Sequence, residues 1–224
     1  MEHHQSPKLI WRDNALPIAE NFDDPYYSLE NGAAETVHVF VEGNGLPARF
    51  CEGFHIAELG FGTALNLCVA RAAWAASGTK GPLRFTSFEA FPMEPDDMAR
   101  ALAAFADLAP WADPVIEALR AGQTRLETPE LHFEVILGDA RNTLPRWPDR
   151  ADAWFLDGFS PAKNPQLWEA DLMQDVFNHT ADKGTAATYT AAGFVRRNLQ
   201  DAGFEVTRVK GFGRKRHMTQ AVRP

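Results

Sequence analysis

Cysteine is scarce in this chain of 224 residues: Cys51 and Cys68 stand alone, without C-x-x-C spacing or a matching histidine pair. That excludes a disulfide framework and a structural zinc site, and both are expected as buried thiols. His3-His4 is excluded as a metal site as well, since adjacent side chains at a frayed terminus chelate poorly. No apolar run of 18 residues occurs, so no membrane-spanning helix is expected. Met1-Glu2-His3-His4 lacks the basic and apolar regions of a secretory leader, which implies a cytoplasmic address. Repeats and low-complexity tracts are absent too.

Positive charge is also short, with 22 Lys/Arg against 30 Asp/Glu and a net −8. Taken whole, that balance argues against a nucleic-acid partner, but it is unevenly spread. From Gly193 onward eight basic residues (Arg196, Arg197, Arg208, Lys210, Arg214, Lys215, Arg216, Arg223) meet only Asp201 and Glu205, a local +6 that leaves −14 for the remainder. Arg196-Arg197 and the stretch from Lys210 to Arg216 would track phosphates, or would merely balance an acidic body.

What is present suits one domain with a sizeable core, at 45% hydrophobic and 23% charged residues. Residues 1–50 read as an amino-terminal extension packing on the core, and 51–224 as the main domain. Ala153-Trp154-Phe155-Leu156 is continuously apolar, as a strand buried on both faces of a parallel sheet requires. Asp157 emerges at its carboxyl end, where ligands bind in open α/β sheets, and Phe159 and Lys163 follow within reach. The bland alternative makes Asp157-Gly158 a turn and Lys163-Asn164-Pro165 a helix start.

A second strand-turn-helix signal lies at Phe54 to Ala64, where Glu58-Leu59-Gly60-Phe61-Gly62-Thr63 carries two glycines ahead of the apolar helix containing Leu65, Asn66, Leu67 and Cys68. Such a turn lets backbone approach a ligand and offers helix-start N–H groups. Its third dinucleotide-fingerprint position is Leu65 rather than glycine, so a pyrophosphate ligand is disfavoured. The spacing Glu58-x-Gly60-x-Gly62 instead resembles the cofactor turn of class I S-adenosylmethionine-dependent methyltransferases, and that resemblance places Glu58 near the methionine end of the cofactor. Phe61, Thr63 and Asn66 join it as cofactor-binding residues.

Two more acids fall at expected strand ends. Glu89 closes Leu83–Glu89 and would accept from ribose hydroxyls, unless it caps the next helix. Asp139 closes His132–Asp139 and, with Ala140, would meet the adenine amino group, unless it only completes a Gly-Asp turn. Phe105, Leu108 and Trp111, beside Pro110 and Pro114, are expected to pack a helical excursion, and residues 123–128 and 130–137 to pair as a hairpin. Gly184–Thr190 supplies a fifth strand and Phe194–Ala202 a helix, before the hairpin of Phe204–Val209 with His217–Val222. The expected fold is α/β and Rossmann-like: a mostly parallel sheet with an antiparallel carboxyl-terminal hairpin strand, as in class I methyltransferases and not in NAD-binding domains.

ELGFGTALN, SFEAFP, GDA, LDGFSPAKNPQLW and KGFGRKRHM occur in order between Glu58 and Met218. Together with Phe22-Asp23-Asp24-Pro25-Tyr26-Tyr27-Ser28, Glu35-Thr36 and Val39-Phe40, they resemble the methyltransferase domains of the MnmC family of tRNA wobble-uridine modification enzymes over nearly the whole chain. Ala64 departs from that pattern, standing where the family has glycine, and Ala33-Ala34 lacks a family leucine. The resemblance implies S-adenosylmethionine as cofactor, the tRNA anticodon loop as partner, and N-methylation of 5-aminomethyl-(2-thio)uridine. It also implies an FAD-dependent oxidase, fused or separate, that supplies the amine; nothing in these 224 residues resembles an FAD fold, so the chain is either a stand-alone methyltransferase or a part of the fused enzyme.

Asp157 would orient the amine and accept its proton, Phe159 would stack on the uracil or line the methyl path, and Lys163 would contact a phosphate or the base. Tyr26 and Tyr27 would close over the cofactor or serve as core aromatics. Three other readings remain at this level: a methyltransferase for a small amine, a noncatalytic tRNA-binding module, and an NAD-dependent oxidoreductase. No metal is expected.

Overall fold

Trp154 and Phe155 point to opposite faces of a sheet that is covered on both sides, which is why the run around them carries no polar alternation. In the computed structural model, which describes residues 6–13, 15–28 and 31–224, the first elements form a three-stranded antiparallel sheet: β1 (Leu9–Arg12), β2 (Leu16–Ala19) and β3 (Asp24–Pro25). A short helix, α1 (Gly32–Thr36), then continues through a π-helical turn, Val37–Val41, and a 3-10 turn, Glu42–Asn44. Asn31 starts α1 by accepting the Ala34 N–H, as a helix cap does.

The remaining elements are β4 (His55–Leu59), α2 (Leu65–Ser77), β5 (Leu83–Glu89), α3 (Pro95–Leu102), α4 (Ala109–Arg120), β6 (Arg125–Glu127), β7 (Leu131–Leu137), α5 (Ala140–Thr143), β8 (Ala151–Leu156), α6 (Ala170–Asn178), β9 (Thr180–Thr188), α7 (Gly193–Ala202), β10 (Glu205–Lys210) and β11 (His217–Val222). Their eight strands form one sheet in the order β10-β11-β9-β8-β4-β5-β7-β6. Strands β4, β5, β7, β8 and β9 run parallel, while β11 inserts antiparallel between β9 and β10, and β6 adds antiparallel to β7. The expected fold class and both expected hairpins are therefore present.

Strand order reverses at β4, whose neighbours are β5 and β8, and a crevice must open at the carboxyl ends on either side of such a point. One face of the sheet packs Ile56, Phe85, Phe133 and Phe155 against α2, α4 and the π-helical turn. The other packs Ala57, Phe88, Trp154 and Leu156 against α6 and α7. Phe105, Leu108 and Trp111 lean on the first cluster, as expected of a helical excursion.

Two expectations are corrected. Strand β9 begins at Thr180, not Gly184, because a bulge carries it through the polar residues Asp182 and Lys183: Ala151 pairs with Thr180 but Ala153 with Thr185. Cys51 is exposed in the turn before β4; only Cys68, on the inner face of α2, is buried. Pro165 opens a 3-10 turn, Pro165–Trp168, as the helix-start alternative for this stretch has it. His3-His4 lies outside the described residues.

Candidate active site

Four strand tips converge on one cavity of about 960 Å³. Gly60 to Thr63 arrive from β4, Glu89 from β5, Asp139 and Ala140 from β7, and Asp157 to Ser160 from β8; the amino-terminal segment closes the remaining side with Phe22, Tyr26, Glu35 and Thr36 among others. Residues within 22–28 and 32–40 thus contribute one wall of the cavity.

Beneath the cavity runs a continuous set of hydrogen bonds centred on Asn66. Its side-chain amide donates to Glu58 Oε1 at 2.9 Å and to Asp157 Oδ2 at 2.7 Å, and its carbonyl accepts from Thr36 Oγ1 at 2.8 Å. Ser87 Oγ holds the second Glu58 oxygen at 2.7 Å. Glu58 is fully buried, and burial drives its carboxyl well above the usual range. It does not line the cavity, whereas Asn66, to which it is bonded, does.

Asp157 is half-buried at the cavity floor, its other oxygen accepting the Gly158 N–H at 2.9 Å. Burial pushes its carboxyl up to about 6, against the opposing pull of the Asn66 and Gly158 donors. Phe159 joins an aromatic wall, stacked on Phe22 at 4.4 Å between ring centres and edge-on to Tyr26 at 5.2 Å.

Around the glycine turn the backbone is left-handed, with φ of +88° at Gly60 and +52° at Gly62. A Cβ on Gly60 would come within 3.1 Å of Asp157 O, and one on Gly62 within 3.1 Å of Tyr26, so both positions need glycine. Glu89 accepts the Gly62 N–H at 3.1 Å and the Phe91 N–H at 2.7 Å, and does not cap α3. Asp139 caps α5 and pairs with Arg141 at 2.6 Å, an attachment that holds its carboxyl below the usual range.

Lys163 departs from the expected grouping. Its ammonium turns away to the amino-terminal segment, bonding Asp23 O and pairing with Asp23 and Asp24 at 3.4 and 3.7 Å, and it does not line the cavity. Of the tyrosines, Tyr26 covers Gly62, whereas Tyr27 ties its hydroxyl to Ala15 O and Ala101 O beside Phe105. Sequence reasoning misses Ser87, Tyr189 and Glu35 as members of the site. Ser87 sits in SFEAFP and Glu35 in Glu35-Thr36, so a signal exists for both; Tyr189 has none beyond following β9.

A family model described as S-adenosyl-L-methionine-dependent methyltransferase matches residues 109–224, more than half of the chain. The chain belongs to this methyltransferase family. Among its relatives is the tRNA 5-methylaminomethyl-2-thiouridine biosynthesis bifunctional protein MnmC of Pseudomonas paraeruginosa, 42% identical over 233 residues, covering 97% of this chain and 35% of that protein. The protein of the same name from Aeromonas hydrophila is 41% identical, again over 35% of its length. The chain therefore spans about a third of these relatives. Among solved structures, MNMC2 from Aquifex aeolicus superposes with a TM-score of 0.74 at 27% identity, over 100% of this chain and 74% of that one. Spermidine synthase from Thermotoga maritima shares the fold alone, with a TM-score of 0.54 at 10% identity.

The methyltransferase's residues fit the cofactor of its family. The glycine cradle tolerates no Cβ, carboxylate acceptors stand at the tips of β5 and β7, and the cavity is large enough for an adenosyl group and a methionine chain together. Among the described residues no cluster of metal-ligating side chains occurs. None of the described helices is long and apolar enough to cross a membrane.

Proposed function

We propose that this methyltransferase N-methylates 5-aminomethyl-(2-thio)uridine at the wobble position of tRNA, in the cytoplasm, and that an FAD-dependent oxidase, in the same polypeptide or apart from it, supplies the amine. The observation that carries the reading is Asp157: a carboxylate poised near neutrality on the cavity floor, fixed by Asn66 and Gly158 beside the glycine turn. The names of the relatives, whose matching regions cover nearly all of this chain, support the choice of acceptor.

Bound S-adenosylmethionine would supply an electrophilic methyl group, held by the Gly60–Gly62 turn, Glu89, and the Asp139–Ala140 corner. An ammonium has no lone pair, so the acceptor must lose a proton before it attacks. Asp157, with both oxygens fixed, orients the amine and takes that proton; Phe159 and Phe22 offer an aromatic face for the uracil and exclude water. Arg196, Arg208 and Arg216 gather near His217, where they add to desolvation in holding its imidazole below the ordinary value, and form the basic surface an anticodon stem would meet.

The test is transfer from labelled S-adenosylmethionine to tRNA carrying 5-aminomethyl-2-thiouridine, with nucleosides identified by mass spectrometry. Formation of 5-methylaminomethyl-2-thiouridine is expected. Cofactor binding without that product would overturn the wobble reading in favour of a small-amine acceptor.

A further inference from the structure

The loop between β10 and β11 carries Arg214, Lys215 and Arg216, three adjacent cations that their sequence alone would assign together to phosphates. Lys215 behaves otherwise. Its ammonium reaches back to the cavity rim, where it lies 2.7 Å from Glu35 Oε1 and 4.3 Å from the centre of the Tyr189 ring. Glu35 is largely buried, with 13% of its side chain exposed, against 47% for Lys215. All three side chains line the same cavity as Asp157.

A carboxylate and an aromatic face around one primary ammonium make a cation seat. That seat is tied to Asp157 from both sides. Tyr189 donates its hydroxyl to Gly158 O at 2.8 Å, one residue beyond Asp157; Thr36, the neighbour of Glu35, donates to Asn66, which donates to Asp157. The group now in the seat, a methylene bearing an ammonium, is chemically the same as the aminomethyl group of the proposed acceptor.

We propose that Glu35 and Tyr189 form the binding seat for the acceptor's ammonium, and that Lys215 is an internal surrogate which leaves the seat when a nucleic-acid phosphate draws it outward. This rests on the acceptor class proposed above. The exchange conserves charge: one cation replaces another beside Glu35, and Lys215 moves toward the exposed side of its loop. The lysine of this pair is half-exposed, so a phosphate can reach its ammonium from solvent and compete for it. Catalysis on tRNA is thereby favoured over catalysis on free amines, which carry no phosphate to open the seat.

The test compares wild type, Lys215→Met and Glu35→Gln on tRNA bearing 5-aminomethyluridine and on the free 5-aminomethyluridine nucleoside. Lys215→Met is expected to raise KM for tRNA about fivefold with kcat little changed, yet to raise kcat/KM for the nucleoside by about threefold or more. Glu35→Gln is expected to lose about 30-fold or more on both acceptors with cofactor affinity unchanged. Melting temperature and cofactor affinity of each variant exclude misfolding. A Lys215→Met enzyme no better than wild type on the nucleoside, or a Glu35→Gln enzyme close to wild type, overturns the proposal. Should wild type methylate neither acceptor, the wobble reading fails by itself. The seat is then judged by calorimetry with benzylamine, which Lys215→Met must bind more tightly than wild type and Glu35→Gln must not bind.

Discussion

Asp157 is ionised only at a cost, because burial, and the Glu35 charge in lesser degree, disfavour its charged form more than the Asn66 and Gly158 donors and the Lys215 ammonium compensate. Its folded value, about 6, exceeds the ordinary aspartate value of 3.8, so the folded state binds more protons between those limits. Wild type should therefore lose stability relative to Asp157→Asn as pH rises from about 4 to about 6, which paired thermal melts across that range will check. Activity runs the other way: kcat/KM should rise through pH about 6 as the carboxylate forms, and Asp157→Ala should cut turnover by about a thousandfold while leaving cofactor affinity nearly intact.

Ala64 makes a second residue-scale case. It opens α2 with φ of +66°, a left-handed conformation that is costly for any residue bearing a Cβ. A glycine at this place would adopt the same conformation without that cost. Ala64→Gly should stabilise the protein by about 1 kcal/mol and raise its melting temperature by roughly 2–4 °C.

At the scale of elements, the amino-terminal segment is clasped to the loop after β8. Asp24 accepts the Ser160 N–H at 2.8 Å, and Lys163 crosses back to Asp23 and Asp24. Asp24→Ala should free that loop: hydrogen exchange at the Ser160 amide should accelerate by about tenfold or more, while exchange in β4 and β8 stays unchanged. The clasp also explains what the sequence can and cannot disclose. Strand β8 is legible because burial on both faces forces the unbroken apolar run Ala153–Leu156, whereas β4, β5 and β7 carry polar residues among their apolar ones and are read from their apolar content and from the glycine or acid that ends each. The partner of Lys163 is not legible, since a lysine in a loop shows no preference between a phosphate and a carboxylate 140 residues earlier. Glu58 is placed near the cofactor by resemblance, which does not disclose which way a buried side chain leans. The start of β9 is hidden by Asp182 and Lys183 in its bulge, and the exposure of Cys51 by the general tendency of thiols to be buried.

For the molecule as a whole, charge is divided: the sheet's β10-β11 edge is basic within a chain of net −8. Not all of that basicity faces outward. Arg223 is spent internally, over the Phe177 ring at 4.8 Å and on Phe177 O and Thr180 O. Arg208 and Arg216 belong to the surface proposed above to meet phosphates. Arg208→Glu with Arg216→Glu should weaken tRNA binding and lower the slope of log affinity against log salt by about 1 for each arginine replaced. Cofactor affinity should not change, which titrations at several ionic strengths will establish.

The insertion of β11 between β9 and β10 also sets an order of assembly. Among the described residues, strand β10 has no partner in the sheet except β11, and β9 has none on that side but β11. Until residues 217–222 are in place, β9 and β10 each present an open edge, a template for pairing with another chain. A polypeptide ending in the turn after β10 would carry both edges together, so a chain cut between Lys210 and His217 should aggregate more readily than one that includes β11.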